Sequence, residues 1–137
     1  MKATELKIGD WVAFADVPVK VKEVKQDGVC IDLSCFDNGK GEQGNVEFED
    51  LSPIPLTEDV LEKSGWRKSE YMSVRGRATL YRLGSATDKY RTVVCFYAQD
   101  IFLEMWQEHN IVRKEIKYVH QLQHLLWALG MDDDLRI

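Results

Sequence analysis

A chain of 137 residues that is 45% hydrophobic and 30% charged carries enough apolar surface for one folded domain, or for one domain with a small appended module. No apolar run approaches the roughly 20 residues a membrane helix needs, and residues 1–7 lack the apolar core of a signal peptide, so the expectation is a cytoplasmic protein. The formal net charge of −5 argues weakly against a nucleic-acid binder. Cys30, Cys35 and Cys95, an odd number in strand-like surroundings, predict reduced thiols used as small apolar side chains.

Residues 6–52 read as a compact β unit. "IGDWVAF" opens with a turn and runs into a strand, and "VKVKEV" at 19–24 alternates valines with lysines. Asp27-Gly28 suits a tight hairpin turn before the return strand at 29–33. The glycine-rich stretch 37–44 reads as a loop, and 45–51 as one more alternating strand. Four or five short strands in about 50 residues predict a small SH3-like barrel or an open meander.

The segment 52–55 is a joint, because Pro53 and Pro55 fix extended backbone. Thr57 then offers an N-cap oxygen, with Glu58 and Asp59 where the helix dipole favours negative charge. A short helix follows, stopped by Gly65. From 66 to 112 the pattern is a β meander, with turns at 75–77, 84–88, 98–100 and 109–110 and a last short strand at 111–112.

The best-defined element is the amphipathic helix at 117–129. Val119, Tyr118, Leu122, Leu125, Leu126 and Leu129 share one arc, and Gly130 ends it. That arc is expected to lie on the 66–112 sheet. The fold class is therefore α+β: a small β barrel or meander at 1–52, a Pro-rich joint and short helix at 53–65, and an antiparallel sheet with the C-terminal helix at 66–137.

Candidate sites concentrate in two places. His120 and His124 stand one helical turn apart, a spacing that suits metal ligation, but only His109 remains as a third histidine and no glutamate follows the first. They fall opposite the apolar arc, which predicts solvated surface and no metal. Gln121, Gln123 and Trp127 share this polar side. His120, Gln123 and Trp127 are candidates for partner binding, against structural roles in which Trp127 packs under a loop and the amides bond backbone.

The second place is basic. Residues 63–91 hold eight basic and two acidic groups, a local +6, whereas 1–56 hold six basic and eleven acidic, a local −5. Arg75, Arg77, Arg82 and Arg91 interleave with Tyr71, Tyr81 and Tyr90, the composition of a single-strand nucleic-acid surface, although no RNA-binding consensus is present. No catalytic constellation, phosphate loop or cofactor motif stands out, and the carboxylates Glu47, Glu49 and Asp50 alternate as a solvent face would.

"LSPIPLTEDVLEKSGW", "IKYVHQLQHLLWALG" and the "DDDLRI" end resemble a family of small gut-bacterial proteins often linked to prophages or other mobile elements. The matching positions are 53–56, Thr57, Leu61, Gly65, Trp66 and 116–122, about 30 residues by recognisable motif. The resemblance implies the same order of elements. The family has no established activity, so it implies no catalytic residue. The function expected from the sequence is a non-enzymatic intracellular interaction or adaptor protein with an unidentified protein partner. The alternatives are nucleic-acid binding through 63–91, and a small-ligand protein or enzyme with an unrecognised site.

Overall fold

The computed structural model describes residues 1–36, 43–73, 76–83, 91–107 and 110–137, with the backbone alone described at 71–73, 91, 107 and 110. The chain divides into two compact units, one of residues 1–55 with 118–135 and 137, the other of 56–117 with 136. The fold is α+β, with two antiparallel sheets and few helices.

The first unit contains β1 (Trp11–Phe14), β2 (Val17–Val24), β3 (Val29–Asp32), β4 (Gln43–Val46) and β5 (Leu51–Pro53) in the order β4-β3-β2-β1-β5. β1 turns into β2 through Ala15 and Asp16, both at positive φ, the two-residue turn whose twist matches the flanking strands. β2 bends: residues 17–20 pair with β1, and from Val21 onward it pairs with β3, across a register shift between Val21 and Glu23. The alternation seen in the sequence buries Val12, Val19, Val21, Val29 and Ile31 together with Leu6 and Leu51.

Among the described residues β4 and β5 do not pair, so the expected barrel or meander is an open five-stranded sheet. The strand expected at 45–51 is two strands split by a 3-10 turn at Phe48–Asp50. Among the described residues β5 pairs only with β1, and an edge strand tolerates Pro53 because its missing N–H is not needed there.

The last helix, α2 (Val119–Ala128), groups with this first unit. Three bonds tie it in place. Val119 N–H donates to Ile54 C=O at 2.9 Å, Trp11 N–H donates to Gln123 Oε1 at 2.9 Å, and Gln123 Nε2 donates to Gly9 C=O at 3.1 Å. The tail is strapped to the same unit: Lys7 pairs with Asp133 at 2.6 Å and Lys20 with Asp134 at 2.7 Å. Trp11 Nε1 donates to Leu135 C=O at 2.8 Å, over a buried Leu135.

The second unit contains α1 (Glu58–Lys63) and β6 (Arg67–Ser73), β7 (Gly76–Arg82), β8 (Arg91–Tyr97), β9 (Asp100–Gln107) and β10 (Asn110–Ile116), a meander in the order β10-β9-β8-β7-β6. Thr57 Oγ1 accepts the Val60 N–H at 3.5 Å, and Gly65 leaves α1 at φ 85°, as the sequence predicts. The last strand, β10, spans seven residues where two were expected. Its alternation is masked by Arg113, Lys114 and Glu115, which an edge strand can expose.

One face of this sheet carries Tyr81, Val94, Leu103 and Ile116, all buried. The Tyr81 hydroxyl lies 3.0 Å from Glu58 and 2.9 Å from Glu62 of α1, and burial with these two carboxylates pushes its pKa well above the ordinary tyrosine value. On the other face Glu104, only 2% exposed, accepts Trp106 Nε1–H at 2.9 Å and Arg113 Nε–H at 2.8 Å. The Arg113 guanidinium rests 5.1 Å from the Phe102 ring and 5.8 Å from that of Tyr97. Burial and the adjacent Glu104 carboxylate push the Cys95 thiol up, so it is inert. Cys30 is buried too, but Cys35 is exposed and sits in a turn rather than a strand. Among the described residues no helix is long and apolar enough to cross a membrane.

Candidate functional site

The candidate site is built on α2 and the segment preceding β1. Five residues of α2 are buried: Val119, His120, Leu122, Gln123 and Leu126. At about 100° per residue their mean direction is turned about 70° from the apolar arc toward the polar side. Leu129 is left 38% exposed by that rotation. The reason is Gln123, whose amide satisfies Trp11 N–H, Gly9 C=O and, at 3.2 Å, Asp133 C=O. Three part-buried backbone groups that would otherwise lack this partner fix the helix rotation. Gln123 is 1% exposed, so it is structural and not a partner contact.

The rotation draws His120 inward. It is 6% exposed, which corrects the expectation of solvated surface, while the His124 side chain keeps 33%. The His120 ring lies parallel to Tyr118 with centroids 5.9 Å apart and meets His124 edge-on at 5.8 Å. His124 Nε2 is 2.7 Å from Oδ2 of Asp10, a carboxylate with no exposed surface that also accepts the Lys7 N–H at 2.8 Å.

An acceptor-only carboxylate makes Nε2 of His124 a protonated nitrogen, so in the neutral ring the lone pair is on Nδ1. Nδ1 of His120 is buried without a hydrogen-bond partner. Burial pushes the His120 pKa down, nearby His124 adds to this, and Asp10 and Glu5 oppose it, so the ring is neutral at pH 7.

These groups line a cleft of about 220 Å³ bounded by Glu5, Pro53, Tyr118, His120, Gln121 and His124. A larger hollow of about 540 Å³ is rimmed by Lys25, Asp27, Asn45, Glu47 and Asp50, every one of them exposed, so it lacks the oriented, desolvated groups of a binding site.

Trp127 continues the histidine side of the helix at i, i+4 and i+7. It is 66% exposed, not packed under a loop, and Lys7 Nζ lies 5.9 Å from its ring centroid. Ile8, next to Lys7, is also 66% exposed.

In the basic segment the register sets Arg67 directly opposite Arg82 on neighbouring strands. Arg77 and Arg82 are both on β7, five positions apart, so strand alternation sends them to opposite faces. Tyr81 has no exposed surface with which to stack a base. Arg75, Tyr90 and His109 lie outside the described residues, as does most of the glycine-rich loop, and the side chains of Tyr71 and Arg91 do too.

The sequence reading singled out His120, His124, Gln123 and Trp127 but missed Asp10, Glu5 and Ile8. Asp10 and His124 are 114 positions apart, and no local pattern joins them. No protein-family model, no curated protein and no solved structure matches the chain.

Proposed function

We propose that the chain is a non-enzymatic intracellular interaction protein whose contact surface is the exposed side of α2 with the adjoining segment before β1. The observation that carries this reading is Trp127, a large aromatic left two-thirds exposed while Ile8, beside its lysine neighbour, is equally exposed. Burying a tryptophan and an isoleucine at an interface is favourable by roughly 1.5–3 kcal/mol each. Tryptophan is also the side chain most enriched among residues that dominate binding. Two further features of the first unit give the surface rigidity. Gln123 locks the helix rotation, and the Lys7–Asp133 pair at 2.6 Å holds the segment beneath it. A surface already ordered loses little entropy on binding.

The test is capture by tagged wild-type chain and by Trp127→Ala from host lysate, each with and without nuclease. Protein bound by the wild type, retained after nuclease and lost with Trp127→Ala, is the expected result. Recovery that vanishes with nuclease, or that is indifferent to Trp127→Ala, overturns the proposal. The former result would move attention to the basic strands β6 and β7.

A further inference from the structure

We infer that the cleft between His120 and His124 takes a divalent transition-metal ion, of the class of Cu²⁺, Ni²⁺ or Zn²⁺, held by the two imidazoles. The inference is independent of the interaction surface proposed above, which rests on Trp127 and Ile8.

Geometry comes first. Imidazole nitrogens ligate such ions at about 2.0–2.1 Å, so each ring centroid stands roughly 3.2 Å from the ion, and a tetrahedral pair has its centroids about 5.3 Å apart. The observed centroid separation is 5.8 Å with the rings at 77°, about half an ångström longer than in such a pair. The i, i+4 spacing on one helix is what holds both rings to that side.

Orientation is the second argument. A ligating histidine almost always gives its other ring N–H to a carboxylate, which fixes the tautomer and raises the basicity of the ligating nitrogen. His124 makes this bond at 2.7 Å to a carboxylate with no exposed surface. Asp10 is thereby a positioning residue, and the nitrogen it leaves available on His124 is Nδ1. His120 offers Nε2, because its Nδ1 is enclosed without a partner.

Charge is the third. The cleft is lined by Glu5 and backed by Asp10, and the Lys7 ammonium is drawn to Asp133 at 2.6 Å while standing 3.8 Å from Asp10. Two imidazoles with two carboxylates nearby favour a cation over an anion. Nitrogen ligands select the later first-row ions rather than Mg²⁺ or Ca²⁺. Among the described residues no third histidine, cysteine or carboxylate gathers with them closely enough to enclose an ion. The site is therefore open, completed by water, and its ion exchangeable. Ligation through His120 Nε2 also moves that ring's proton to the partnerless Nδ1, which keeps the affinity below that of a closed structural site.

The experiment is calorimetric titration of the chelator-treated full chain with Cu²⁺, Ni²⁺, Zn²⁺ and Mg²⁺, with Cu²⁺ electron paramagnetic resonance. Expected are one ion per chain, the Cu²⁺ > Zn²⁺ order, no Mg²⁺ binding, and a spectrum split by two nitrogens. His124→Gln and His120→Gln should each weaken binding at least tenfold, and Asp10→Asn by 10- to 100-fold. Should Asp10→Asn fail to fold, His124, its side chain one-third exposed, carries the test alone. No saturable binding, or affinity and nitrogen splitting unchanged in both histidine variants, overturns the inference.

Discussion

Replacing Gln123 with leucine is the sharpest test of how the first unit is held together. The two side chains are close in volume, so the perturbation is chemical and not steric. Leucine removes the acceptor of Trp11 N–H at 2.9 Å and the donors to Gly9 C=O at 3.1 Å and Asp133 C=O at 3.2 Å, at a position 1% exposed. Each stranded backbone group costs about 1–3 kcal/mol. Taking the lower end for three part-buried groups gives about 3 kcal/mol, and the apolar gain of burying leucine offsets about 1 kcal/mol of it. The expected loss is about 2 kcal/mol, a large share of a typical domain stability of about 5–15 kcal/mol. Urea unfolding followed by circular dichroism should show a lower midpoint at unchanged slope. Amide exchange at Trp11 should accelerate in the native state, which localises the effect. A loss under about 0.5 kcal/mol with Trp11 protection intact would refute the account of Gln123 as the group that sets the helix rotation.

Other perturbations have defined directions. His120 has a folded pKa below its ordinary value near 6.5, so the unfolded chain binds the extra proton first. In chelator-treated protein its contribution to stability is complete above about pH 6.5 and declines as pH falls below it, and His120→Gln should flatten that part of a midpoint-versus-pH curve. Trp127→Ala should leave the melting temperature nearly unchanged, within about 0.5 kcal/mol, because a 66% exposed ring buries little; a cooperative collapse would show that the ring is structural. Tyr81→Phe removes the hydroxyl shared by Glu58 and Glu62 and should cost about 1 kcal/mol in urea melts, since both carboxylates are exposed enough to rehydrate. Glu104→Ala strands Arg113 Nε and Trp106 Nε1, and a double-mutant cycle with Arg113→Ala should return a coupling of about 1–3 kcal/mol; a coupling near zero would show that the pair is solvated.

The existence and type of most elements were legible in the sequence, because they are set by local chemistry. Val19, Val21, Val29 and Ile31 alternate as half-buried strands must, and Asp27-Gly28 marks their turn. Thr57 with Gly65 brackets α1, and the 3.6-residue period from Val119 to Leu126 marks α2. The strand at 45–51 was misjudged because a 3-10 turn leaves no period to read, and β10 because an edge strand need not alternate.

Which way α2 faces, and on what, could not be read from its own residues. The apolar arc argued for one rotation, and the backbone of Gly9 and Trp11 imposed another through a single amide at Gln123. The same long-range constraint brings Asp10 to His124 across 114 positions and encloses His120, while leaving Trp127 in solvent. Periodicity records what each residue prefers to bury. Hydrogen-bond satisfaction between segments far apart in the chain decides which preference is met, and only the tertiary structure contains that information.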